Sequence, residues 1–124
     1  MDNWKIMDIQ VDRTELFEKD YSHLPVTMQK VVETKINYLI TILRSGNHSP
    51  LLYRTSRLFF PDNIKKKQST LYVYKVNIKY RVILTLDDDP LFEQKILTLF
   101  RVVSHDDLVI AFKKVSSKLY ELWR

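Results

Sequence analysis

Two basic stretches in the second half of the chain carry the residue types best suited to bind or break a phosphate ester. The first is the turn and strand over 75–84, in which Arg81 stands where the strand begins. The second is a strand over 95–104, which carries Arg101 and runs directly into His105. Because side chains alternate along a strand, Arg101 and His105 share one face, and Arg81 faces them if the strands pair antiparallel. Guanidiniums bind phosphate oxygens through paired N–H bonds and imidazole moves protons near neutral pH, so we expect a phosphodiester site, with RNA the natural candidate.

Each of these residues also has a purely structural interpretation. Arg81 and Arg101 are equally typical of charges at the edge of a sheet, and His105 of a polar residue between a strand and a helix. Tyrosines in the same strands offer faces on which a base could stack, but half-buried strands favour aromatic residues in any case. These tyrosines are Tyr72, Tyr74 and Tyr80.

The charge of the chain is unevenly distributed. Residues 1–62 contain 8 Lys and Arg against 8 Asp and Glu, whereas residues 63–124 contain 12 against 7, so the net charge of +5 lies entirely in the second half. An excess of cations attracts phosphate backbones through counterion release. The basic surface is therefore expected in the second half, although an acidic protein partner would suit it as well.

Length and composition exclude several classes of protein. A chain of 124 residues is expected to form one domain over 1–124. It contains no cysteine, which excludes disulfides and thiol catalysis, and its histidines are far apart at His23, His48 and His105. We therefore predict no metal site and no cofactor. No apolar run approaches the roughly 18 residues of a membrane span, so a soluble, cytoplasmic protein with no membrane contact is expected.

The periodicity predicts an α+β fold: an N-terminal strand and two helices, then an antiparallel sheet of three or four strands, with an added C-terminal helix. The predicted elements are a strand within 4–11, a helix over 13–22, a helix over 26–44, strands over 71–76, 80–86 and 95–104, and a final helix from about 108. Residues 51–60 are either a strand or a connecting segment. Gly46, the only glycine, is expected to end the second helix.

This element order, with its basic sheet face, resembles the RelE/ParE superfamily of small bacterial toxins. The resemblance rests on the helix over 26–44, the strand over 71–75 and the strand ending at Arg101 to His105. It rests above all on the turn over 76–84, which is similar to the basic R-x-N-x-x-H/Y-R-hydrophobic stretch of the YoeB-like branch. Many toxins of this superfamily cleave messenger RNA on the ribosome, whereas the ParE branch inhibits DNA gyrase.

The resemblance implies a metal-independent endoribonuclease that inhibits translation as part of a type II toxin–antitoxin system. Arg81 would hold the scissile phosphate, Arg101 would be a second clamp, and His105 would transfer the proton. The implied partners are a cognate antitoxin and RNA or the ribosome, and a homodimer is left open. The residues expected to bind RNA are Lys75, Lys79, Arg54, Arg57 and Tyr80.

Two departures from the YoeB-like pattern keep a second hypothesis open. Asp106 and Asp107 follow the histidine where relatives have an arginine or a tyrosine, and the nearest later tyrosine is Tyr120. The chain also continues into an additional helix, which would cover the sheet, form a dimer or replace an antitoxin contact. The alternative is a non-catalytic module of the same fold that binds a protein, as gyrase inhibitors do.

Overall fold

The computed structural model of the chain describes residues 8–47 and 71–121. Its elements are β1 (Asp8–Arg13), α1 (Glu15–Ser22), α2 (Val26–Arg44), β2 (Leu71–Lys75), β3 (Tyr80–Asp88), β4 (Gln94–Ser104), a 3₁₀ turn (His105–Asp107) and α3 (Leu108–Glu121). Within these two ranges, no helix is long and apolar enough to cross a bilayer.

The four strands form one sheet in the order β1-β4-β3-β2. The antiparallel pairing of β2 with β3 and of β3 with β4 confirms the predicted meander. β1 pairs parallel with β4, so the sheet is mixed. The α+β class and the order of elements are confirmed. The periodicity of β1 does not reveal the direction of its neighbour, so its parallel pairing with β4 was not predicted.

A side-chain cap sets the start of α1, and a glycine in the left-handed conformation follows the end of α2. Thr14 caps α1, because its side-chain oxygen accepts a hydrogen bond from the Phe17 amide at 3.1 Å. Its hydroxyl also donates to the Phe100 carbonyl at 3.0 Å and so fixes the start of α1 to β4. Gly46 follows the end of α2 with φ +87°, the left-handed conformation expected of this glycine.

Helices cover both faces of the sheet and create two apolar clusters. We call the cluster beneath α1 and α2 the first core; its fully buried side chains include Phe17, Val32, Leu39, Val82 and Leu99. We call the cluster beneath α3 the second core; its members include Leu71, Val73, Ile83, Val103 and Phe112. The C-terminal helix therefore covers the sheet, which is one of the three uses expected for it.

A β-bulge interrupts the alternation of β4. Ile83 pairs with Arg101 but the next residue, Leu84, pairs with Leu99, so Phe100 has no partner across the ladder. Leu99 belongs to the first core, whereas Phe100 packs against the second core. Beyond the bulge the even-numbered residue Val102 takes over in the first core. Period-two reasoning from the sequence therefore fails across residue 100.

Candidate functional site

Basic side chains meet at one end of the sheet, where the turn between β2 and β3 lies beside the end of β4. We call this region the basic end and define it by Lys75, Lys79, Arg81 and His105. Lys75 pairs with Arg81 across β2 and β3, and Arg81 pairs with Val103 on β4. Directly opposed residues project from the same face of a sheet, so Lys75 and Arg81 are neighbours on the face that α3 covers further along.

The turn that supports Arg81 is organised by Asn77. The Asn77 Oδ1 accepts hydrogen bonds from the backbone amides of Lys79, at 3.0 Å, and Tyr80, at 2.8 Å. The Arg81 Nη1 donates back to the carbonyls of Asn77, at 2.5 Å, and Tyr80, at 3.1 Å. The guanidinium is partly buried and is held against its own turn. Its position is therefore fixed by backbone atoms.

His105 is attached to the same turn through its backbone. Its amide donates to the Lys79 carbonyl at 2.6 Å. Its side chain is 63% exposed, and the ring Nδ1 lies 3.8 Å from the Asp106 Oδ1. The backbone of His105 thus lies beside the turn that contains Lys79 and Arg81, from which it is distant in the sequence.

Lys79 and Tyr80 lie at the basic end in different roles. Lys79 is exposed, with its Nζ 5.4 Å from the centroid of the Tyr80 ring. Tyr80 is partly buried and packs against the first core, as does Tyr72, while Tyr74 is buried in that core. The Tyr74 hydroxyl donates to the Lys35 carbonyl at 3.0 Å. These rings contribute to the core, and RNA contact by Tyr80 stays a prediction.

Arg101 lies opposite Ile83, and its guanidinium is already engaged. Its Nε donates to the Asp20 Oδ2 at 2.7 Å and its Nη2 to the Oδ1 at 2.9 Å, a bidentate pair with α1. The Asp20 Oδ2 also accepts the Val102 amide at 3.1 Å. The hydrogen bonds that Arg101 donates to the Asp20 carboxylate raise the pKa of Arg101 despite its partial burial. A phosphate clamped by Arg101 would have to displace Asp20.

The two aspartates after His105 differ in their surroundings. The Asp106 side chain is 99% exposed. The Asp107 Oδ2 accepts a hydrogen bond from the Ser104 hydroxyl at 3.2 Å, and its charge helps to raise the pKa of Arg101. Ser104 therefore donates to Asp107 and makes no side-chain cap at the start of the 3₁₀ turn. Asp106 therefore places an exposed negative charge beside His105.

Sequence reasoning did not identify two residues that shape this region. Asp20 and Arg101 are 81 positions apart in the sequence, and no local sequence pattern predicts a pair with such a separation. Asn77 stands within the turn motif, and an Asn two or three residues before the amides it binds is a recognisable Asx-turn signal. Arg54 and Arg57, which are predicted to bind RNA, lie outside the described residues.

The chain is similar in structure to several known toxins. A YoeB/ParE toxin from Agrobacterium tumefaciens is 10% identical, with a TM-score of 0.47 over 77% of this chain and 98% of that one. A chain of the E. coli DinJ-YafQ toxin-antitoxin complex is 16% identical, with a TM-score of 0.43 over 82% and 98%. YafQ from E. coli strain BL21(DE3) is 18% identical, with a TM-score of 0.40 over 82% and 98%.

No protein-family model and no curated protein sequence matches the chain. TM-scores below 0.5 at these identities describe a loose likeness of fold and assign no activity. The function must therefore be argued from the side chains of this protein.

Proposed function

We propose that the chain is a RelE/ParE-type toxin that cleaves messenger RNA at the basic end without a metal ion and so inhibits translation. The observation that supports this most is the 2.6 Å hydrogen bond from the His105 amide to the Lys79 carbonyl. It holds a solvent-accessible imidazole beside the turn that carries Arg81. A proton carrier and an anchored guanidinium on neighbouring parts of the backbone are two of the groups that cleavage of a phosphodiester uses.

In this reaction the ribose 2′-oxygen attacks the adjacent phosphorus, and the bond from phosphorus to the 5′-oxygen breaks. A 2′,3′-cyclic phosphate remains on one fragment and a 5′-hydroxyl on the other. His105 either protonates the departing 5′-oxygen while water takes the 2′-hydroxyl proton, or takes the 2′-hydroxyl proton while water protonates the 5′-oxygen. Arg81 stabilises the negative charge that builds on the non-bridging oxygens. Lys75 and Lys79 attract the backbone on either side.

Cleavage of single-stranded RNA by the purified protein in EDTA tests this proposal. We expect fragments that end in 2′,3′-cyclic phosphate, and His105→Gln should lower the rate by about 100-fold with little change in RNA affinity. His23→Gln is a matched control, because His23 is exposed at the end of α1 and its ring Nδ1 contacts only the Lys19 carbonyl among the bonds described. Equal rates for the two variants would exclude His105 as the proton carrier.

A second candidate function is a binding module of the same fold with no chemistry. Two observations favour it: Asp20 occupies the guanidinium of Arg101, and the exposed Asp106 brings a negative charge next to His105. The two functions predict different toxicities for His105→Gln in living cells. If cleavage causes growth arrest, His105→Gln relieves the arrest; if binding to a protein target causes it, the variant remains as toxic as the wild type.

The proposed partner is a cognate antitoxin whose acidic segment covers the basic end. A positive surface with partly exposed Lys75 and exposed Lys79 is complementary to carboxylates. Co-expression with the product of an adjacent gene that encodes a short acidic protein should restore growth. Failure of every neighbouring gene product to do so would remove the antitoxin from the proposal.

A further inference from the structure

We infer that Asn77 is the positioning residue of the basic end: it sets the places of Arg81 and His105 together, although it need not touch RNA itself. None of the roles assigned above falls to Asn77. Its side chain accepts the amides of Lys79 and Tyr80, and its backbone carbonyl accepts a hydrogen bond from Arg81. The claim that Asn77 positions the turn does not depend on the proposed function. The effect expected from its substitution on RNA cleavage rests on that function.

The first step is the contact with the turn. The Asn77 Oδ1 receives both the Lys79 and the Tyr80 amides, at 3.0 and 2.8 Å, so one oxygen orients two consecutive peptide units. The Tyr80 carbonyl in turn accepts the Val76 amide at 3.1 Å and closes the hairpin. Without the Oδ1 acceptor, the Lys79 and Tyr80 amides lose the hydrogen-bond partner that orients them.

The second step is transmission to the two functional side chains. Arg81 is held by the Asn77 carbonyl at 2.5 Å, so the guanidinium follows the backbone of residue 77. His105 is held by the carbonyl of Lys79, whose amide Asn77 binds. Asn77 therefore contacts the Arg81 guanidinium through its backbone carbonyl and orients the peptide units that hold the His105 amide through its side chain.

The third step is attachment to the rest of the fold. The Asn77 Nδ2 lies 3.4 Å from the Met28 Sδ, a weak acceptor in the first turn of α2. This contact joins the tip of the hairpin to the helix that covers the first core. Asn77 is partly buried, as a residue between a turn and a helix should be.

The choice of Asn over Asp has an electrostatic consequence. An Asp at this position would accept the same two amide bonds, but its charge would lie next to Arg81 and Lys79 and would repel a phosphate. The neutral amide supplies the geometry and leaves the positive potential intact. Geometry and charge can therefore be separated by substitution.

The test uses three variants of the full chain: Asn77→Ala, Asn77→Asp and, as a control at the other end of the sheet, Asp89→Asn. The first readout is hydrogen exchange of the His105 amide, measured by NMR without RNA. Asn77→Ala should speed exchange by about 10-fold, because the turn that carries the Lys79 carbonyl opens more often. Asn77→Asp should keep the wild-type exchange rate, and Asp89→Asn should leave it unchanged.

The second readout is RNA cleavage. Asn77→Ala should lower kcat by about 10-fold or more, since misplacement by about 1 Å costs up to 100-fold. Asn77→Asp should mainly raise KM and weaken the salt dependence of RNA binding. Unchanged exchange at His105 in Asn77→Ala would overturn the inference, whatever the cleavage result. If the wild type cleaves no RNA, the proposed function fails, and the exchange measurement still decides whether Asn77 positions His105.

Loss of folding in Asn77→Ala would be visible in the dispersion of the whole spectrum. In that case Asn77→Ser decides by the same criterion, because its shorter hydroxyl accepts at most one of the two bonds with comparable geometry. Exchange at His105 should then lie between the wild-type rate and the rate of a fully open turn. A wild-type rate in the Ser variant would overturn the inference.

Discussion

The two ends of the sheet use the same turn chemistry with opposite charge. At the basic end, the Asn77 Oδ1 accepts the amides two and three residues later. At the other end, the Asp89 Oδ1 accepts the amides of Leu91, at 2.9 Å, and Phe92, at 3.3 Å, again two and three residues later. Both are Asx turns, which shows that turn geometry alone does not decide where a functional surface lies.

The electrostatic difference is what separates the two turns. We call the turn between β3 and β4 the acidic end, because four carboxylates occur there within seven residues: Asp87, Asp88, Asp89 and Glu93. Asp88 is paired with Lys95 at 2.5 Å. A polyanion is therefore attracted to one end of the sheet and repelled from the other. Substitutions at the basic end and at the acidic end should therefore affect RNA binding and cleavage differently.

The largest effect is expected from Arg81→Ala. Removal of the anchored guanidinium should lower RNA cleavage by about 100-fold to 1,000-fold, because a positioned donor at developing charge is worth this much. Lys95→Ala removes a cation from the acidic end and should change the rate less than about 2-fold. Single-turnover cleavage rates measure both. Comparable losses in the two variants would mean that the cleavage rate depends on the total positive charge of the protein and not on the basic end.

The second largest effect concerns Arg101, whose guanidinium is paired with Asp20. Asp20→Ala leaves the Arg101 guanidinium and the Val102 amide without their partner and should lower the free energy of unfolding by about 2 kcal/mol, less than for a fully buried pair because both groups are partly exposed. Urea denaturation measures it. Glu15→Ala, an exposed acid in the same helix, is the control. No loss of stability would reopen Arg101 as a phosphate ligand.

Smaller effects are expected from the lysines of the basic end. Lys75→Ala and Lys79→Ala should each reduce the slope of log affinity against log salt by about 0.7, the value of one phosphate contact on a single strand. Asp87→Asn at the acidic end should leave the slope unchanged. Fluorescence anisotropy with a labelled single-stranded RNA at several salt concentrations measures these slopes. A change for Asp87→Asn equal to that for Lys79→Ala would erase the distinction between the ends.

The smallest effect is a pH dependence at the acidic end. The hydrogen bond from Gln94, followed by that from the Leu91 amide, lowers the pKa of Asp89. A carboxyl with a lowered folded pKa adds stability above its unfolded pKa of about 3.9, and this contribution disappears as the pH falls through the folded value. Asp89→Asn should therefore lose less stability than the wild type on acidification to pH 3. Parallel curves of Tm against pH would contradict this assignment.

Local patterns were sufficient for the helices and the meander, because apolar periodicity and caps such as Thr14 and Gly46 act over a few residues. The bulge at Phe100 was not visible in the sequence, since an extra strand residue is fixed only by pairing with β3. The pair of Asp20 with Arg101 depends on the packing of α1 beside β4. Motif reasoning therefore did not reveal that Arg101 pairs with Asp20, and the roles of Arg81, Arg101 and His105 stay predictions.

The most direct test of the account is to map RNA onto the protein by NMR with a single-stranded oligonucleotide whose 2′-hydroxyls are methylated, so that it binds but cannot be cleaved. Bound RNA should shift the amide signals of the basic end, Lys75, Lys79, Arg81 and His105, and leave those of Asp87 to Glu93 in place. Shifts centred on the acidic end, or no shifts at RNA concentrations that saturate cleavage, would contradict the claim that the basic end is the functional site.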